Sequence, residues 1–346
     1  MLLILFLQYS EFSILNFVIY FILSKQSDSR TQLKFRNILD NLITKTTISK
    51  TKKTSLYNSN FKQNLIDNYI YSSYYNFFDN WISSKLSNWK NINKKLKKSR
   101  LSLFLSRFSD KIFDIFIQIN SRILNKNAVI NNIFSVIQST VCILSVKNLI
   151  FDNLESLIYS NLIDTKSDFY NKARSVQIDL QIREKLELYI ISVIQKQISA
   201  LFNIFIETKS FDKNTTVFKQ QTCFDSILNT CNIYKLRLFK TDNTLVYNNN
   251  IYIITSIYYD SQLKIYTIYF TQSIDYKKSS ESYITQFNSW ILTDFYKQFR
   301  QEISVFRNIR NWTKLKQDKL IAVVNSRITN NLKKIFILQF SIYYIS

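Results

Sequence analysis

Two groups of cations in this chain recur at helical spacing. Arg300, Arg307, Arg310 and Lys314 form one group, and Lys90, Lys94, Lys97 and Lys98 form the other. At 100° per residue each group falls on one arc of a helix. Such an arc binds phosphate oxygens, whether in RNA, in DNA or on an anionic membrane surface. The arginine-rich arc suits planar phosphate recognition better, because a guanidinium presents its donors as a fork. In the first segment Phe78, Trp81, Ile82, Trp89, Ile92 and Leu96 take the opposite side. In the second, Phe295, Phe299, Phe306 and Ile309 do so, interrupted by Glu302, with Tyr296 beside the arginine arc. Aromatics next to cations can stack on bases. At this spacing they equally describe the buried side of an ordinary helix whose outer face is basic.

Other candidate chemistry is sparse. Asp110 and Asp114 stand four residues apart, as do Asp164 and Asp168. Neither pair has a third oxygen ligand or a loop to complete a cation site, so helix-surface or capping roles are expected and no metal. Cys142, Cys223 and Cys231 are odd in number and lack CxxC spacing, which reads as buried free thiols in a reducing compartment.

Absences say more. The chain has no Gly and no His. Phosphate-cradling loops, dinucleotide fingerprints and nucleophile elbows need a backbone that only Gly allows. Catalytic triads, zincins and most general bases near neutral pH need His. A non-catalytic protein without a cofactor is therefore expected.

The 346 residues carry 46 Lys+Arg against 24 Asp+Glu, a formal net charge of +22. That excess opposes compaction unless a polyanion offsets it. At 46% hydrophobic and 16% aromatic the chain has the material for a core. Asn, Lys, Ile, Phe and Tyr all have AT-rich codons, which points to an AT-rich genome such as that of a plastid or, alternatively, a mitochondrion. The composition resembles that of reading frames in algal plastids, a likeness that carries no site.

The elements that must position these residues follow from periodicity. Met1 to Leu23 is almost continuously apolar and long enough to span a bilayer, with Glu11 as its main obstacle. Its basic flank, Lys25, Arg30, Lys34 and Arg36, lies only on the C-terminal side. A buried first helix would read the same way. Residues 1–24 are thus a candidate membrane anchor, and residues 25–60, rich in Ser, Thr and Lys, a basic polar linker. Residues 61–210 predict a helical domain. Its longest stretch runs from Ser167 to Thr208, on an apolar stripe through Phe169, Ala173, Leu180, Ile190, Leu201 and Phe205. Residues 211–280 predict a β-meander with strands at Asn232–Lys240, Thr244–Tyr247, Ile251–Tyr259 and Leu263–Thr271. Asn and Asp at their turns stand where Gly would be expected. Residues 281–346 predict a C-terminal helical region.

The expected fold is α+β and predominantly helical, with a small antiparallel meander. The expected role is a basic accessory or scaffold protein, non-catalytic, at an anionic membrane surface within a larger assembly. The alternative is a soluble RNA-binding protein of an organellar ribosome or other ribonucleoprotein.

Overall fold

The computed structural model describes residues 60–72, 88–100, 103, 108–123, 125–138, 143–148, 167–191, 199–209, 215–241, 249–251, 253–273 and 280–343. In chain order they form α1 (Phe61–Asp67), β1 (Ile70–Ser72), α2 (Trp89–Leu96) and α3 (Asp110–Ser121). Next comes α4 (126–137), which passes through a π-turn at Val129–Ile133, followed by β2 (Ser145–Lys147) and β3 (Phe169–Arg174). The remainder is α5 (Leu180–Lys185), α6 (Glu187–Ile190), β4 (Ser199–Lys209), α7 (Thr215–Leu238), β5 (Ile253–Tyr259), β6 (Gln262–Gln272), β7 (Ser280–Ile291) and α8 (Tyr296–Tyr343).

The seven strands form one mixed sheet in the order β1-β7-β6-β5-β4-β3-β2. β4 and β5 run parallel, joined by α7 as a crossover, and β1 pairs parallel to β7 at the edge. The other neighbours are antiparallel. Helices cover both faces. On one, Ile204, Ile254 and Ile265 of the sheet pack with Phe116 of α3, Phe134 of α4 and Phe306 of α8. On the other, Ile253, Ile257 and Ile268 meet Phe224 and Ile227 of α7 and Leu65 of α1. Ring pairs such as Phe116 with Phe299, 4.5 Å between centroids, add about 0.5–1.5 kcal/mol each beyond area burial.

The small meander in a mainly helical body is therefore replaced by a seven-stranded sheet at the centre of the fold. β1, β2 and β3 also fall in the stretch expected to be helical, and three segments show the physical reasons for the difference. From Leu201 to Thr208, β4 is buried on both faces, so it reads as an apolar run in which a period of two is hidden. β7 carries Ile284, Phe287 and Ile291 at helical spacing because a bulge at Phe287 interrupts its alternation. Asn232 to Leu238 alternates like a strand yet completes α7, where Ile233 and Leu236 turn inward one helical step apart. Thr244–Tyr247 lies outside the described residues.

The hairpin between β5 and β6 matches the expectation, antiparallel and in register from Ile253↔Ile268 to Tyr259↔Gln262. Its two loop residues, Asp260 and Ser261, have φ of 49° and 61°. Positive φ at both centres is the signature of a type I′ turn, normally built with Gly. Asn249, at φ 54°, is left-handed as its place in the Asn248–Asn250 triplet implied.

The expected transmembrane helix is not met. Among the described residues no helix is long and apolar enough to cross a membrane, and Met1–Leu23 lies outside them.

Candidate polyanion-binding groove

α2 and α8 bring the two sequence-predicted cation groups together. Ile92 and Leu96 of α2 point into the core, and Trp89 packs on Phe287 with ring centroids 4.2 Å apart. Lys90, Lys94, Lys97 and Lys98 are left on the exposed side. The C-terminal end of α2 is bound to α8 by side chains. Asn308 Nδ2 donates to the carbonyls of Leu96 and Lys98, both at 2.7 Å, and Ser304 Oγ donates to Lys98 O at 3.2 Å. Arg100 Nη1 donates to Asn308 Oδ1 at 2.9 Å. These bonds satisfy carbonyls that a helix end leaves open. They also hold Lys97 and Arg100 against the first turns of α8.

Between them lies a cavity of about 280 Å³ whose lining includes Lys97, Arg100, Lys297 and Arg300, with Ser99 and Ser304. None of its lining residues, among the described residues, is acidic. A second cavity of about 550 Å³ shares Lys97, Lys297 and Gln301 with the first. Trp290, Phe295, Asn288 and Gln298 also line it, as does Glu302. The two are one groove with a cationic half and an aromatic, amide-bearing half. Further along α8 a third cavity, about 310 Å³, is lined by Arg237, Lys316, Lys319 and Arg327. Burial lowers the Lys316 pKa, as do the like charges of Lys95, Lys319 and Arg237. Lys95 of α2 is thus close enough to Lys316 to be felt there.

The arginine arc divides. Arg300 is half-buried beside Tyr296, its guanidinium carbon 5.7 Å from the ring centroid, and it lines the groove. Arg307 is buried and donates from Nε to Ile137 O at 2.9 Å and from Nη2 to Val136 O and Gln138 O at 3.0 and 3.2 Å. It closes the C-terminal end of α4. Arg310 is 2% exposed and reaches Asn171 Oδ1 at 3.4 Å. Burial pushes both guanidinium pKa values down to about 10, with Arg100 near Arg307, and with Arg307 and Arg100 near Arg310. Lys314 forms an ion pair with Asp318 one turn on. Arg307, Arg310 and Lys314 are therefore engaged within the fold.

Sequence spacing missed Arg100, Lys297, Lys316 and Arg237. Lys297 and Arg300, three residues apart, carry a local signal. Arg100 follows the end of α2, where helical projection fails, and Arg237 comes from a segment read as a strand. Phe295, assigned to the buried side, is 71% exposed, whereas Phe299 is fully buried one turn on.

Buried carboxylates elsewhere bond within the fold. Asp168 forms an ion pair with Lys126 and accepts from Thr208 N at 2.8 Å and Thr208 Oγ1 at 3.1 Å. Glu207 accepts from Asp168 N at 3.2 Å. Burial, with Asp168 and Asp225 nearby, holds the Glu207 carboxyl well above the usual carboxylate range. Asp110 stands in the first turn of α3, an ordinary place for an acid, and Asp164 lies outside the described residues. No group of three or more Asp, Glu or Cys placed to hold a metal occurs among the described residues. Cys223 and Cys231 are free thiols. They stand eight residues apart on α7, about 12 Å along its axis, too far to bridge.

The chain matches no protein-family model, and comparison with curated proteins finds no significant match.

Proposed function

We propose that this chain is a non-catalytic RNA-binding protein that holds its ligand along the groove between α2 and α8. One observation carries the reading: Lys97, Arg100, Lys297 and Arg300 converge on a cavity with no acidic lining residue among those described. Their shared positive charge, with no acid beside it in that lining, favours bound phosphates. A further cationic cavity lies farther along α8, lined by Arg237, Lys316, Lys319 and Arg327, so the protein offers contacts to more than one phosphate. The lack of Gly and His supports a non-catalytic role. A composition weighted toward residues with AT-rich codons supports an organellar ribonucleoprotein as the setting.

Salt-dependent binding tests this. The double variant Lys297→Gln with Arg300→Gln is compared with Lys111→Gln with Lys185→Gln, two exposed cations on α3 and α5. Both remove the same charge. The groove variant binds RNA more weakly, with a salt slope shallower by about one to two, while the control retains most of its affinity. Equal losses would reduce the effect to net charge and remove the groove as a site. Binding to anionic phospholipid vesicles without binding to RNA would make a membrane surface the partner instead.

A further inference from the structure

Resting on that reading, we propose that the groove takes single-stranded RNA, seating an unpaired base against Phe295 and Trp290 while its flanking phosphates lie on Lys97, Lys297 and Arg300. Phe295 is 71% exposed at the start of α8, an unfavourable place for a phenyl ring in the free protein. It is held there: Phe299 N donates to its carbonyl at 2.8 Å, and the chain on its other side returns from β7 through the turn at Leu292, which is fully buried. Trp290, half-buried at the end of β7, lines the same cavity. Two aromatic rings in one concave site form a stacking platform, since every base has a π-face.

The groups around the rings favour a base over other apolar guests. Asn288, Gln298 and Gln301 bring amide donors and acceptors to the cavity, the complement of base edges. At about 550 Å³ the space is in the range of small-ligand pockets and admits a nucleobase with its sugar. Lys97, Lys297 and Gln301 belong to both halves of the groove, so a base in the aromatic half places the next phosphate at the cationic half. In a duplex the base faces are already stacked and out of reach, and recognition rests on backbone and shape. Phe295 lines an open groove beside amides that lipid tails could not satisfy.

Fluorescence anisotropy with three probes separates the outcomes: a labelled oligouridine strand, an RNA duplex and heparin. In the full-length protein, Phe295→Ala loses roughly tenfold or more in affinity for the single strand. Its affinity for duplex and heparin stays unchanged, and Phe295→Trp restores the single-strand affinity. Leu315→Ala, which trims another exposed apolar side chain of α8, changes none of the three. Phe295 is exposed, so circular dichroism and the unfolding midpoint of Phe295→Ala match those of the parent. If Phe295→Ala binds all three probes as the parent does, or weakens on all three alike, the stacking site is refuted. The charge-based reading of the groove then still stands on the Lys297 and Arg300 variants. If the parent protein binds neither RNA nor heparin, both proposals fall together.

Discussion

Gln317 of α8 and Asn203 of β4 are joined at 3.0 Å across 114 residues of sequence, the Asn203 amide donating to Gln317 Oε1. From the same side chain Gln317 Nε2 donates to Leu201 O at 2.6 Å. Between Ser199 and Ile206, Asn203 and Leu201 are the two residues of β4 skipped in the β3 register, which passes from Ile204 to Phe202 to Ala200. Each marks a bulge, and Leu201 is left-handed at φ 44°. A bulge inside a covered sheet leaves backbone polar groups without ladder partners. Asn229 of α7 serves the residue between them, donating to Phe202 O at 2.8 Å.

Replacing Gln317 by Leu keeps the volume and removes both bonds. The Leu201 carbonyl and the Asn203 amide then stay buried without these partners, and stability falls by about 2–4 kcal/mol. Urea denaturation measures the loss. An unchanged midpoint would show that another group takes over both contacts.

Arg307, one of two buried arginines of the predicted arc, behaves unlike the groove arginine Arg300. Arg307→Gln strips the donors from Val136, Ile137 and Gln138 and lowers stability by about 3–5 kcal/mol. Arg300→Gln, at a half-exposed site, changes stability by less than about 0.5 kcal/mol. Thermal melts of the two variants side by side check the contrast.

Glu302 makes stability depend on pH. It is 2% exposed beneath the aromatic half of the groove. Burial lifts its carboxyl to about 7; the Asp294 charge adds to the rise, and the Gln298 hydrogen bond, 2.8 Å to Oε1, opposes it. An unfolded glutamate titrates near about 4.3. Between those values the folded chain holds a proton that the unfolded chain has lost. The contribution is therefore fully present below the unfolded pKa and is lost as pH rises toward 7. It amounts to on the order of 2–3 kcal/mol. Glu302→Gln abolishes this component, so its unfolding midpoint at pH 8 exceeds the parent's. A pH series of denaturation curves with unaltered slope in the variant would contradict this.

Local periodicity predicted α2, the start of α8 and the hairpin of β5 with β6, because each has one buried and one solvated side, or a turn chemistry visible in two residues. It failed at β4, where burial is two-sided and no turn chemistry marks the strand. Leu201–Thr208 shows no alternation because helices cover both of its faces. The groove was half legible for the same reason. Lys97 and Arg300 announce themselves by spacing on their own helices. Whether Arg307 faces solvent or the end of α4 depends on a segment about 170 positions away, which no local pattern encodes. Phe295 is the converse case, an apolar residue in step with a buried stripe but one turn beyond the cover that buries Phe299.

The parallel pairing of β1 with β7 carries a consequence for synthesis. Ile70 lies opposite Ser282, and Tyr69 O accepts from Ser282 N at 2.8 Å. Among the described residues, the edge strand β1, first in the chain, thus waits for the last strand, β7. At ribosomal rates of about 5–20 residues per second, α1 and β1 emerge roughly 10–40 s before their partner exists. Through that interval Phe61, Leu65 and Ile70, all buried in the finished fold, have no β7 to close over them. Folding of this chain on the ribosome is therefore governed by the arrival of its C-terminal third, and nascent chains stalled before β7 expose a hydrophobic N-terminal edge to chaperones.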